Sequence, residues 1–131
     1  MWLFFCCLLR NLKFLIINII IALLTVLMYF INNLYLKENS LGIINYLSIC
    51  YINDFLCPIF LFSYSNILLY FIHRKLVALF PILAICAISS IIWEFCAPLI
   101  KPSSVTDLYD ILSYLIGALF YYAIINCIIK K

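Results

Sequence analysis

The chain has 131 residues and a formal charge of +3; 69% of it is apolar, 10% charged and 18% aromatic, for a mean hydropathy of +1.27. A water-soluble domain is closer to half apolar and a quarter charged, so too little polar material is present here to cover a solvated surface. This excludes a soluble domain, leaves lipid as the solvent for most of the surface, and gives room for one domain over residues 1–131.

Crossing the hydrocarbon as a helix takes about 20 apolar residues, and four stretches qualify. The expected fold is all-α: a polytopic membrane protein with four transmembrane helices in an antiparallel bundle, because helices satisfy their own backbone in lipid and barrel-type alternation is absent. Residues 1–7 have no charged region ahead of their apolar run and no small-residue cleavage site, so no removable signal peptide is expected. Cys6 and Cys7, near a membrane end, could accept an acyl chain, although two more apolar residues are the simpler reading. The first span covers about residues 14–31. Asn18, Ala22, Thr25 and Tyr29 share one of its faces, where small and mildly polar residues suit close packing and cross-helix hydrogen bonds; Asn18 reads as a bond between helices rather than a ligand. A loop over 32–45 follows.

The second span, about 46–72, contains Asn53 and Asp54 followed by Pro58. The third, about 76–98, ends in Glu94, Phe95, Cys96, Ala97 and Pro98, a near copy of Asp54, Phe55, Leu56, Cys57 and Pro58. A carboxylate costs roughly 2.5–3.5 kcal/mol at the centre of a membrane helix, so such residues usually face the bundle interior and serve a function. A proline in a helix removes the hydrogen bond to the carbonyl four residues earlier. For Pro58 that carbonyl belongs to Asp54, and for Pro98 to Glu94. Each phrase thus offers a carboxylate and a freed carbonyl, as in the broken helices with which transporters hold ions. The plainer reading is that Pro58 kinks its helix and Pro98 ends the third one.

The fourth span, about 107–129, places Asp107, Asp110, Tyr114, Gly117 and Tyr121 at steps of three and four, on one side of a helix. Gly117 on this stripe would admit a close helix neighbour. Residues 104–107 read as a capping box, which suits Asp107 to a helix start; Asp110, one turn deeper, is the stronger candidate for a ligand.

Arg10, Lys13, Arg74, Lys75, Lys130 and Lys131 fall on one side of these spans, and only Lys37 and Lys101 on the other. Both termini are therefore expected to be cytoplasmic, with the 32–45 and 99–106 loops outside. That asymmetry already accounts for the positive charge, and no nucleic-acid partner is implied. On this topology Asp54 lies about eight residues, roughly 12 Å, below the outer edge, at a depth similar to Glu94, Asp107 and Asp110. Trp2, Trp93, Tyr46 and Tyr51 fit interfacial anchoring. His73 belongs to the cytoplasmic loop, away from the carboxylates, and no Ser-His-Asp or metal-ligand set is present, so catalysis is not expected. None of the seven cysteines forms a Cys-x-x-Cys pair, although Cys50, Cys57 and Cys96 near the outer face leave room for one bridge.

On Glu94, Asp110 and Gly117 the chain resembles the C-terminal half of VanZ-like membrane proteins. It departs from their pattern at Ala97 (usually glutamine), Tyr114 (usually asparagine) and Lys101 (usually arginine). Over residues 51–58, 94–98 and 106–122 it is similar to small four-span bacterial proteins catalogued as magnesium citrate secondary transporters. These resemblances imply a four-helix fold in the bacterial inner membrane and carry the acidic positions with them.

The expected function is an outward-facing acidic pocket of Asp54, Glu94 and Asp110, with Asp107, Asn53 and Tyr114 beside it. It would bind a cation or a polar headgroup in envelope or lipid homeostasis. No cofactor is required, no metal ligands are assigned, and a divalent cation is one ligand such oxygens could take. The alternatives are a secondary transporter of a cation or metal-citrate, and a scaffold or accessory subunit. The partners expected are the bilayer and, for so small a chain, further copies of itself.

Overall fold

In a computed structural model the described residues, 2–39, 41–100 and 108–129, are all-helical, with no strand among them. Helix α1 (Trp2–Ile31) continues through a π-helical turn (Asn32–Leu36) into the short α2 (Lys37–Asn39). Then come α3 (Ile43–Cys50), α4 (Ile52–Phe71), α5 (Leu79–Ile100) and α6 (Leu108–Ile129). Four helical stretches are long and apolar enough to cross a membrane: Asn11–Asn39, Ile52–Phe71, Leu79–Cys96 and Leu108–Ile129.

Two boundaries differ from those expected from hydropathy. The 32–45 loop is largely helical, because α1 does not stop at residue 31. The wide turn that follows points Asn32 and Asn33 at α4: the Asn32 amide donates to Asn53 Oδ1 at 3.0 Å, and Asn33 donates to the same oxygen at 3.4 Å. The second span is also not one helix from residue 46. It breaks at Tyr51 (φ −122°, ψ −24°) into α3 and α4, so Asp54 sits in the first turn of a spanning helix rather than eight residues into one.

Neither proline ends its helix. Pro58 lies inside α4, and α5 runs two residues past Pro98 to Ile100. A proline here forfeits one backbone hydrogen bond, and neighbouring helices can tolerate that loss.

Helix α4 ends in a Schellman-type cap. Arg74 N–H donates to the Leu69 carbonyl at 2.9 Å and His73 N–H to that of Tyr70 at 3.1 Å. His73 takes the left-handed conformation (φ 54°) that glycine usually supplies there.

Helix α4 is the centre of the assembly: α1 packs on it from one side and α6 from another, while α5 packs chiefly on α6. The core draws on all four spanning helices. It comprises Phe14 from α1, Ile59 and Phe62 from α4, Ile82 and Cys86 from α5, and Tyr114, Ala118, Tyr121 and Ile125 from α6. The α4–α6 contact depends on Gly117. A Cβ there would meet the Phe55 carbonyl and come within 2.7 Å of Pro58 Cγ, so the stripe glycine and the mid-helix proline form one seam.

At the α4–α5 turn the fold is fastened by a buried chain of polar groups. The Asn66 amide pairs with Leu76 as a peptide would: Leu76 N–H donates to Asn66 Oδ1 at 2.7 Å, and Asn66 Nδ2 donates to the Leu76 carbonyl at 2.9 Å. Asn66 Nδ2 also donates to the Tyr121 hydroxyl at 2.7 Å, which in turn donates to Asn18 Oδ1 at 2.7 Å. Asn18 closes the chain by donating to the Phe14 carbonyl at 2.9 Å. Hydrogen bonding makes it affordable to bury these amides. Asn18 thus serves as a link between helices. Asn66, which hydropathy alone passes over, is the hub.

Candidate ligand-binding cavity

A cavity of about 450 Å³ lies beside α4 and is walled by all four spanning helices. Tyr29 of α1 closes one side, and Asn53, Asp54, Cys57, Pro58 and Leu61 of α4 form the floor. Cys86, Ser89, Ser90 and Trp93 of α5 stand opposite, with Tyr114 of α6 behind them. Helices α1 and α5 pack chiefly on α4 and α6 respectively, and the cavity lies between them. Tyr29 (47% exposed) and Trp93 (52% exposed) stand at its open flank. On the Asn66 side the core residues Phe62, Ile82, Ala118 and Tyr121 are fully buried.

The carboxylate in this wall belongs to Asp54. The first turn of α4 positions it, where the helix dipole favours negative charge, and the Tyr114 hydroxyl donates a hydrogen bond to it. Glu94 and Asp110 are close enough to act electrostatically on Asp54, and so is Lys37. The Lys37 ammonium is itself bonded to Asn33 Oδ1 at 2.8 Å. Glu94 is buried at 8% exposure, Asp110 is half-buried in the first turn of α6, and neither carboxylate lines the cavity. Asp107 lies outside the described residues. Three of the four sequence-selected acids therefore meet at one end of the bundle, and one of them faces open space.

Among the described residues no three His, Cys, Asp or Glu side chains are placed to hold a metal ion. Asn53 lines the cavity, but its oxygen is taken by Asn32 and Asn33, and its own amide donates back to Asn33 Oδ1 at 3.3 Å. It braces Asp54's neighbourhood. Ser90 directs its hydroxyl proton to the Ala87 carbonyl at 3.0 Å, and the Cys86 thiol donates to that of Tyr114 at 3.3 Å. Each bond keeps a small polar side chain satisfied in an apolar setting.

Trp93 and Tyr29 were placed by sequence as an interfacial anchor and a packing residue; both are cavity walls. Ser89 carried no signal beyond its spacing of four residues from Trp93, and Cys57, three residues from Asp54, reads in sequence only as part of the repeated phrase and as a candidate for a bridge. The free thiols of Cys50, Cys57 and Cys96 leave the suggested bridge unmade.

No protein-family model, no curated protein and no solved structure matches the chain. The likeness on Glu94, Asp110 and Gly117 therefore rests on those residues, and function is argued from the cavity.

Proposed function

We propose that this is a multi-pass membrane protein that binds the cationic head of a membrane amphiphile in its side cavity, with Asp54 as counter-ion. The observation that carries this reading is a single carboxylate, held by Tyr114, in the wall of a cavity whose remaining lining is mostly apolar and aromatic. A charge in that setting is costly unless it meets a partner. The gap between α1 and α5 would admit a ligand sideways from the bilayer, its head against Asp54 and its chain remaining in lipid. With both termini cytoplasmic in an antiparallel bundle, the Asp54 end is the outer end. That placement suits a role in envelope or lipid homeostasis, as the VanZ-like resemblance implies. A transport path fits less well, because the core between the cavity and the Asn66 end is closed.

The reading is tested by isothermal titration calorimetry on detergent-purified protein, using chain-matched alkylammonium and alkyl sulfate amphiphiles. The cationic probe is expected to bind saturably, the anionic one not. Asp54→Asn should weaken the cationic probe at least tenfold, about 1.4 kcal/mol. Equal partitioning of both probes, or an unchanged affinity in Asp54→Asn, defeats the proposal.

A further inference from the structure

The hydrogen-bond economy of the same cavity specifies which kind of cation it takes. We infer that the site selects a quaternary, N-methylated ammonium head over a primary one; this rests on the Asp54 reading above and narrows it. A primary ammonium brings three N–H donors and, once out of water, needs an acceptor for each. The lining is mostly apolar, and apart from Asp54 its acceptors are neutral, the hydroxyls of Ser89 and Ser90 among them. Asn53 Oδ1 already accepts from Asn32 and Asn33. Pro58, Leu61 and the two cysteines contribute apolar surface. Asp54 is the one carboxylate in the lining, and the Tyr114 hydroxyl already occupies part of its capacity.

A quaternary ammonium has no N–H to satisfy. Its positive charge is spread over methyl groups that pack against ring faces, where the aromatic quadrupole attracts a cation. Three aromatic residues from three helices, Tyr29, Trp93 and Tyr114, line this cavity together with the carboxylate. A carboxylate set among aromatic walls is the composition such a cation uses. The size also fits: about 450 Å³ lies within the usual range of roughly 300–1,000 Å³ for small-ligand pockets. The Lys37 ammonium acts on Asp54 electrostatically but makes its hydrogen bond to Asn33 Oδ1.

The experiment compares dodecyltrimethylammonium with dodecylammonium, both below their micellar concentrations, by calorimetry on the full chain in neutral detergent. Tetramethylammonium chloride serves as the chainless control. The trimethyl probe is expected to bind about tenfold tighter, since its methyl groups pack on the rings with no N–H left to satisfy. Trp93→Ala and Tyr29→Ala should erase that preference, bringing the two affinities together, and Trp93→Phe should retain most of it. Both aromatic positions are about half exposed, and a thermal melt of each variant verifies folding. Equal affinity for the two amphiphiles, still dependent on Asp54, overturns the inference and leaves the parent reading standing. Binding of neither probe overturns both. Tetramethylammonium binding as tightly as the amphiphile would make the ligand a soluble ion and overturn the lipid assignment.

Discussion

At the scale of single residues, Gly117 shows how tightly α6 is seated. Its missing side chain lets the Phe55 carbonyl and the Pro58 ring lie against the α6 backbone, and the space a methyl would need is occupied by backbone, which cannot rotate away as a flexible side chain can. Gly117→Ala is therefore expected to destabilise the protein by about 1–3 kcal/mol, the usual cost of overpacking. It should also weaken ligand binding, because Asp54 and Tyr114 lie on the two helices that would be forced apart. Thermal melts in detergent measure the first effect and calorimetry the second. An unchanged melting temperature would mean that the seam is looser than its geometry indicates. Asp54 and Asp110 share a simpler local logic: each opens a helix, where a carboxylate complements the dipole. Only Asp54 adds an open cavity to that role, and on the proposed function that difference separates it from Asp110.

At the scale of elements, the four spans were legible because hydropathy counts residues, and length alone selects a membrane helix. The stripe from Asp110 to Tyr121 was legible because helical periodicity is local. What the sequence hid are the features created by contacts across many residues. The π-turn after Ile31 places Asn32 and Asn33 against Asn53, about twenty positions later. The split at Tyr51 accompanies it, and no local pattern around either site announces them. Asn66 was hidden for the same reason: its partners are Leu76, ten residues on, and Tyr121 on another helix. Asn66→Leu should strip the turn between α4 and α5 of its clamp, with a loss of about 1–3 kcal/mol for the polar groups left unpaired. Bonds between membrane helices average roughly 0.6 kcal/mol, so the lower part of that range is expected. Hydrogen exchange distinguishes the clamp from general packing. In Asn66→Leu the Leu76 amide should exchange freely, whereas in Tyr121→Phe it should remain protected because Asn66 Oδ1 still accepts from it. A protected Leu76 amide in Asn66→Leu would remove Asn66 from that role.

At the scale of the whole molecule, the two ends of the bundle differ in kind. One is closed and fastened by the Asn18–Tyr121–Asn66 chain, with the Lys75 ammonium 4.8 Å from the centre of the Phe14 ring. The other gathers Asp54, Glu94 and Asp110 around a cavity open at its flank. A molecule built in this way can offer its cavity to one leaflet only, so its orientation decides which lipids it meets. Basic residues near Arg10 and Arg74 favour the cytoplasm for the closed end, and on that proposed orientation the cavity is expected to face the outer leaflet. Single cysteines introduced into a cysteine-free variant test this in intact cells. Glu38→Cys, near the cavity end, should react with a membrane-impermeant maleimide from outside. His73→Cys, exposed at the turn after α4, should react only after permeabilisation. The reverse pattern would place the cavity in the cytoplasmic leaflet, and the ligand would then have to be sought among the amphiphiles of that side. Labelling of both positions in intact cells would mean that the chain inserts in two orientations.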